Sequence, residues 1–244
     1  MSPRVTLATA ARVLRQLRRD RRTLGLVFGV PALLLVLFRY VFDGQPQTFD
    51  RIGPPLVGIF PLVSMFLVTS IAMLRERTTG TLERLMSMPA AKLDLLLGYG
   101  LAFALVAAVQ ASIAAAVAFW LLGLDVAGSA WLVVALAVLN AVLGMALGLF
   151  LSAFASTEFQ AVQFMPAAIL PQVLLCGLLV PRERMAAVLE WLSAALPMTY
   201  AYDAIARVTA AEGGGRLALD VGVVAGAVAL ALLLGATTLR RRTP

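Results

Sequence analysis

The sequence predicts an all-α integral membrane protein with six transmembrane helices, and three observations support this fold class. Hydrophobic residues make up 61% of the 244 positions and charged residues only 14%, whereas a soluble domain is nearer half apolar and about a quarter charged. The apolar residues fall into runs of about 20, the length that crosses a bilayer as a helix. The arginines gather before the first run and after the last, as expected of chain ends that face an anionic cytoplasmic leaflet.

The apolar runs define a six-span domain over residues 24–239. Pro166 and Pro171 interrupt the fifth run and should kink it, because each proline removes a backbone donor. The connection 43–51 is expected to be a short outer loop. The predicted spans cover about residues 24–42, 54–74, 95–122, 130–152, 160–180 and 217–239.

Residues 1–23 are predicted to form an amphipathic helix in the cytoplasmic interface, because apolar side chains gather on one helical face and arginines on the other. An unstructured basic anchor is the alternative. The apolar face consists of Leu7, Ala10, Val13, Leu14 and Leu17.

The segment 181–216 is also amphipathic, and the charge distribution decides how it is placed. With six spans, both termini and the loop 75–94 are cytoplasmic, and the inner segments hold fourteen Lys and Arg against five in the outer segments. A seventh span would put Arg240–Arg242 outside, against the positive-inside rule. We therefore expect outer re-entrant or amphipathic helices over 181–210 and a cytoplasmic tail at 240–244. Their apolar face is Met185, Val188, Leu189, Leu192 and Leu196.

Several kinds of chemistry are excluded. The single Cys176 can form no internal disulfide, and a chain without histidine is unsuited to a conventional zinc or iron–sulfur site. The only lysine, Lys92, follows Ala91 rather than Gly, so a phosphate-binding P-loop is absent. The net charge of +7 lies at the membrane flanks, which disfavours a nucleic-acid role. The chain is therefore predicted to be non-catalytic and to take any nucleotide energy from another polypeptide.

The middles of the predicted spans lack Asp, Glu, Lys and His, which counts against an ion-coupled carrier. The polar residues within them are mild, and interhelical hydrogen bonds are favoured over substrate contact. These residues are Gln110, Asn140, Gln163 and Gln172. Glycine pairs that allow close helix packing occur at Gly25/Gly29, Gly144/Gly148 and Gly222/Gly226, but such pairs also arise by chance.

The loop 75–94 contains the most charged internal stretch. A short helix is predicted to begin near Gly80 and to stop at Pro89. Its apolar edge is Leu82, Leu85 and Met86, and Glu83 and Arg84 lie on the other side. On physical grounds this helix is equally suited to docking a soluble partner and to holding the turn between two spans.

Residues 75–89, RERTTGTLERLMSMP, resemble the hallmark of permease subunits of type-2 ATP-binding-cassette exporters. That pattern joins a charged pair, Gly-Thr-Leu-Glu, a hydrophobic pair and a proline, before a third span that begins near Leu-Leu-Gly. Residues 148–160, 174–181 and 196–204 resemble further blocks of the same family, with the daunorubicin-resistance-like drug-export branch the most similar.

The resemblance implies that 75–89 is a coupling helix seated on a separate ATPase. Two permeases, identical or paralogous, would assemble with two copies of the ATP-binding subunit, which would hold ATP and Mg, while this chain binds no cofactor. The implied coupling residues are Arg75, Glu76, Thr81, Leu82, Glu83, Arg84, Leu85 and Met86.

The resemblance also implies that the second and fifth spans face the transport pathway. The expected substrate is apolar or amphiphilic, drug-like or lipid, and is moved out across the cell membrane. Its candidate residues are Phe66, Phe164, Met165 and Gln172. A non-transporting scaffold that recruits a partner through the same loop is the alternative, and an ion-coupled carrier is a weaker one.

Overall fold

The structure is a computed structural model that describes residues 2–86 and 92–238. No strand occurs in this part of the chain, which is a bundle of α-helices with short turns. The turns include a π-helical turn at Val117–Leu121 and 3-10 turns at Ser152–Phe154 and Arg182–Arg184. The helices are α1 (Pro3–Arg19), α2 (Arg21–Val41), α3 (Pro46–Thr78), α4 (Thr81–Met86), α5 (Lys92–Ala116), α6 (Ala130–Leu151), α7 (Glu158–Ala168), α8 (Leu170–Leu175), α9 (Ala187–Ala194), α10 (Pro197–Thr209) and α11 (Gly215–Thr237).

Within the described residues, five helical segments are long and apolar enough to span a membrane. These segments confirm the predicted fold class, an all-α integral membrane protein. They are Arg21–Val41, Pro46–Thr78, Leu93–Leu121, Ala130–Phe154 and Gly215–Thr237.

The fifth predicted span is two short helices, α7 and α8, which meet at Ile169. The predicted kink is confirmed, because the break lies between Pro166 and Pro171. Helix α7 begins beside Arg75 near the end of α3, and the chain after α8 reaches Tyr202 of α10 at the opposite end of the bundle. The pair together carries the chain from one end to the other, and the predicted six spans are reached only if this pair counts as one.

Contacts between distant segments define the two ends of the bundle. At the end predicted to be cytoplasmic, here called the inner end, Ser2 N donates to Asp94 Oδ2 at 2.9 Å, and Arg77 Nη2 donates to Thr238 Oγ1 at 3.4 Å. At the opposite end, here called the outer end, the link between α5 and α6 joins α10, where Ala127 N donates to the Thr209 carbonyl at 3.1 Å. Both ends of the described chain therefore lie at the inner end.

The core lies between α3 and α6, where glycines let the two backbones meet. A Cβ on Gly144 would overlap the carbonyl oxygen of Leu62, and one on Gly148 would lie 2.5 Å from the carbonyl oxygen of Phe66. Thr69 Oγ1 lies in the same seam and donates to Met65 O at 2.7 Å. Of the three glycine pairs in the sequence, Gly144/Gly148 is the pair at which two helices come into close contact. Around the glycines of the other two pairs, Gly25/Gly29 and Gly222/Gly226, no described atom lies within 4 Å of a Cβ position.

Helix α1 lies where the N-terminal helix was predicted, and part of its predicted apolar face packs against the bundle. Thr9, Ala10 and Val13 are buried, and Thr9 packs so closely on α5 that a Cβ at Gly98 would lie 2.5 Å from the Thr9 Cβ. Leu7 is 59% exposed, and its contact with the membrane interface stays a prediction.

Two predicted boundaries at the outer end are corrected. Most of the expected loop 43–51 is helical, because α3 begins at Pro46, a residue suited to the first helical turn. Its 33 residues span about 50 Å and exceed the roughly 30 Å apolar thickness of a bilayer. In the outer segment, Met185 and Leu196 lie outside helix α9, because a 3-10 turn precedes it and Pro197 starts α10.

A hydrogen bond between α2 and α5 confirms one predicted role for a polar span residue. Pro31 has no N–H, so the carbonyl of Val27 lacks its usual donor within α2. Gln110 Nε2 donates to this carbonyl at 2.7 Å, and Gln110 is fully buried. Gln172 instead donates to the Ala168 carbonyl of the preceding turn at 2.8 Å, and Gln163 is exposed.

Candidate functional site

The candidate site is the inner end of α3 and the short helix α4 that follows it. Helix α3 ends at Thr78, and Thr79 Oγ1 donates to the Arg75 carbonyl at 2.7 Å. Gly80 then adopts a positive φ of 72°, which glycine takes at little cost. The turn separates α4 from α3, so the predicted coupling segment is in fact the last turn of one helix joined to a second.

Helix α4 has six residues, Thr81–Met86. Leu85 is partly buried and packs against the bundle core, while Arg84 is exposed. The predicted apolar edge is therefore tested only at Leu85, because the side chains of Leu82, Glu83 and Met86 lie outside the description. The predicted end at Pro89 also lies outside the described residues.

A buried carboxylate connects α3 to two other helices. Glu76 is 6% exposed, and its Oε2 lies 3.3 Å from Arg12 Nη2 of α1. The same guanidinium donates to the Tyr99 hydroxyl of α5 and stacks 5.5 Å from the centre of the Tyr99 ring. A buried charge needs such partners. The cluster Arg12–Glu76–Tyr99, here called the inner cluster, holds α1, α3 and α5 together one turn before Gly80.

A second ion pair joins α3 to the start of α7. Arg75 Nε donates to Glu158 Oε1 at 2.6 Å and Arg75 Nη2 donates to Glu158 Oε2 at 3.0 Å, a bidentate arrangement. Both side chains are about half exposed. The hydrogen bonds from Arg75 hold the pKa of Glu158 below its usual value. Of the predicted coupling residues, Arg75 and Glu76 therefore contact other helices of this chain.

An open cavity of about 350 Å³ lies beside these ion pairs, between α1, α3 and α5. Its lining includes Arg75, Glu76 and Tyr99, with Asp20 at the start of α2. Asp20 Oδ1 accepts from Thr23 N at 3.1 Å, and its hydrogen bonds to Thr23 lower the pKa of Asp20. The cavity leaves room for the inner end of α3 to tilt relative to α1.

The predicted substrate-path residues are buried or partly buried. Phe66 is fully buried against α6, and Gln172 of α8 is 8% exposed and donates to the Ala168 carbonyl at the end of α7. Phe164 and Met165 are partly buried and pack against the core. The close contact at Gly148 encloses Phe66, and its role in a substrate path stays a prediction. Helices α7 and α8 expose a different set of side chains: Phe159, Val162, Gln163, Leu170 and Leu174.

Residues 4–209 match the sequence profile of the ABC-2 type transporter family. The chain belongs to the ABC-2 type transporter family. This match confirms the resemblance to type-2 ATP-binding-cassette permeases, and the apolar helices make the chain a multi-pass membrane protein.

Two curated relatives of this ABC-2 transporter are the probable multidrug ABC transporter permease YbhR of Escherichia coli K12 and of E. coli O157:H7. Each is 28% identical over 150 residues, or 62% of this chain. The aligned region spans 41% of the length of each relative. Both relatives carry the word multidrug in their names, which is consistent with the drug-export branch.

Three residues of the site, Arg12, Tyr99 and Glu158, were not singled out from the sequence. A signal for Arg12 existed, since it follows Thr9 by three positions and so shares the packed face of α1. Glu76 offered another signal, because an acid near the end of a span requires a cation. No local pattern identifies the partner of Tyr99 or of Glu158. Each contact joins two residues that are more than 80 positions apart in the sequence.

Proposed function

We propose that this chain is the transmembrane permease subunit of an ATP-driven exporter, with ATP hydrolysed by a separate ATP-binding-cassette subunit. The observation that carries the proposal is the arrangement at the inner end, where an exposed part of α4 continues into a span that is ion-paired to two other helices. The family match supports it. In this assignment α4 is the coupling helix on which the ATPase acts.

The contacts of α3 supply a path for the mechanical coupling. A displacement of α4 reaches α3 through the single turn at Thr79 and Gly80. Arg75 passes it to α7 through Glu158, and Glu76 passes it to α1 and α5 through the inner cluster. A push on one short helix would thereby move several helices at the inner end together.

The complete transporter would contain two permeases, identical or paralogous, and two ATPase subunits that bind ATP and Mg. Both termini of the permease would face the cytoplasm, as the arginine distribution favours. The substrate class would be apolar or amphiphilic, a proposal supported by the exposed apolar face of α7 and α8 and in keeping with the multidrug permeases among the relatives.

Charge reversal on α4 tests the docking assignment. Arg84→Glu changes an exposed side chain of α4, and Arg184→Glu makes the same change at an exposed position of the outer end. The full-length permease is purified in detergent, and its affinity for the ATPase that co-purifies with the wild type is measured. We expect about tenfold weaker binding for Arg84→Glu, equivalent to about 1.4 kcal/mol, and no change for Arg184→Glu. Equal affinity of the wild type and Arg84→Glu for the ATPase would contradict the assignment of α4 as the docking helix.

Transport in vesicles separates an exporter from the alternatives. The reconstituted complex is loaded with ATP and tested against a panel of lipophilic fluorescent dyes. We expect ATP-dependent dye movement that persists after ionophores remove the proton and sodium gradients. A partner that binds without any ATP-dependent movement indicates a scaffold, and movement that stops with the gradients indicates an ion-coupled carrier.

A further inference from the structure

An apolar groove of about 600 Å³ runs along the seam between α5 and α6 in the outer half of the bundle. Its size falls in the range of ligand pockets, about 300–1,000 Å³. None of the described residues that line it is charged. The lining residues that matter for the argument are Ala108, Ser112, Ala116, Trp120, Trp131 and Val134.

The groove follows from the local sequence of α5. Ala108, Ser112 and Ala116 recur every four residues, so one face of the helix lacks side-chain bulk. The π-helical turn Val117–Leu121 follows directly, with Leu122 N donating to the Val117 carbonyl at 3.0 Å. Such turns are rare and occur frequently at functional sites. The π turn carries Trp120 to the mouth of the groove.

Two tryptophans fix the depth of the groove. Trp120, in the π turn that follows α5, is 84% exposed, and Trp131, at the start of α6, is 80% exposed. Indole rings prefer the level of the lipid headgroups, where one edge meets hydrocarbon and the N–H meets water. The groove therefore begins at the outer membrane interface and extends toward the hydrocarbon layer.

The chemistry of the groove selects its occupant. An apolar cavity does not hold ordered water, because water there lacks hydrogen-bond partners. The Ser112 hydroxyl can bond to a carbonyl of its own helix and requires no polar ligand. We propose that the groove binds one acyl chain of an outer-leaflet phospholipid, with the headgroup at the level of Trp120 and Trp131. A flexible hydrocarbon chain is the ligand that needs no donor, acceptor or charge from the protein.

The two groove tryptophans provide a direct probe of this site. The experiment uses a Trp191→Phe variant, so that the tryptophan fluorescence comes from Trp120 and Trp131. Phosphatidylcholine with brominated acyl chains is titrated into the full-length protein in detergent at low lipid-to-protein ratio. We expect quenching that saturates, because a chain that is bound in the groove and brominated near its ester end holds bromine close to both rings.

A matched pair of substitutions separates groove binding from loose surrounding lipid. Ala116→Leu fills the groove, whereas Ala229→Leu adds the same volume to an exposed position of α11. We expect Ala116→Leu to weaken saturable quenching about tenfold or more, and Ala229→Leu to leave it unchanged. Quenching that rises without saturation in the wild type, or that is equal in both variants, would overturn the proposal.

Two further measurements keep the result interpretable. A protein with Trp120→Phe and Trp131→Phe retains Trp191 alone and should show no saturable quenching, so the test does not depend on the folding of Ala116→Leu. The second measurement is disulfide cross-linking of Trp131→Cys between two copies of the chain. If the copies cross-link and brominated lipid does not reach the groove, the seam is a protein interface, and acyl-chain binding is contradicted.

Discussion

The middle of α3 and its inner end are held in physically different ways. In the middle, Gly144 and Gly148 bring the backbone of α6 against α3 with no space for a Cβ. At the inner end, the side chains of Arg75 and Glu76 reach partners on α7 and α1 through ion pairs, beside an open cavity. One region is a tight apolar contact and the other is a set of charged contacts with room around them.

This difference assigns mechanical roles within a single helix. Close apolar packing has one good arrangement, and any shift loses contact or creates overlap. The half-exposed pair Arg75–Glu158 can break and re-form at modest cost, because water solvates the separated charges, whereas the buried Glu76 keeps its partners on α1 and α5. We therefore expect the middle of α3 to move with α6 as a unit, and the inner end to rearrange when α4 is displaced.

The largest expected effect is at the glycine seam. Gly144→Ala places a Cβ against the backbone of Leu62, where no flexible side chain can give way. We expect a loss of about 3 kcal/mol, at the upper range for overpacking, measured by chemical unfolding in detergent.

The matched change at Gly226 is the control, because no described atom lies within 4 Å of its Cβ position. Gly226→Ala should leave stability unchanged or raise it slightly, since alanine is the better helix former. Similar losses at both positions would contradict the assignment of the seam.

The inner cluster should show the next largest effect. Arg12→Gln leaves the buried Glu76 carboxylate without its cation, which we expect to cost about 2 kcal/mol. The double variant Arg12→Gln with Glu76→Gln should recover part of the loss, because the unpaired charge is gone. Arg18→Gln on the exposed face of α1 is the control and should change stability little. The absence of any recovery would show that Arg12 does not act through Glu76.

The hydrogen bond between Gln110 and Val27 should be worth about 1 kcal/mol. Gln110→Leu leaves the Val27 carbonyl unpaired, because Pro31 cannot donate to it. In a Pro31→Ala background the restored N–H donates to that carbonyl, so Gln110→Leu should then cost much less. A double-mutant cycle measures this coupling, and equal costs in the two backgrounds would refute the explanation.

The exposed pair Arg75–Glu158 should show the smallest effect, about 0.5 kcal/mol after allowance for solvent screening. Arg75 lowers the pKa of folded Glu158 below the usual value of about 4.3. The pair therefore stabilises the protein above that pH and loses its contribution as the pH falls through the lowered pKa. The stability difference between wild type and Glu158→Gln should shrink between pH 7 and pH 3, and a constant difference would contradict the assignment.

Much of the fold could be predicted because hydrophobic run length and charge distribution are local signals. They predicted the spans at α2, α5, α6 and α11 to within a few residues, and the prolines predicted the break between α7 and α8. The loop at 43–51 was wrong, because α3 begins at Pro46, and the close contact of Thr9 with α5 was not predicted, because it depends on packing against another helix. Periodicity reports that a face is apolar but not which neighbour it meets.

The candidate site was only partly predictable for the same reason. The motif at 75–89 predicted a single coupling segment, and within its described residues Gly80 separates the end of α3 from α4. The partners of Arg75 and Glu76 come from α7 and α1, far away in the chain, and no local pattern names them. The glycine seam illustrates the same limit, because three similar glycine pairs occur and only the surroundings distinguish Gly144 and Gly148.

The most direct test compares motion at the two ends in the complex with its ATPase. After Cys176→Ala, spin labels are placed at the exposed residues Thr78 and Ser156 of the inner end, and at Ser129 and Ala210 of the outer end in a second sample. Distances are measured with and without a non-hydrolysable ATP analogue. We predict that the distance between residues 78 and 156 changes by several ångströms on nucleotide binding, while that between 129 and 210 stays constant. An unchanged inner distance with the ATPase bound would contradict the account.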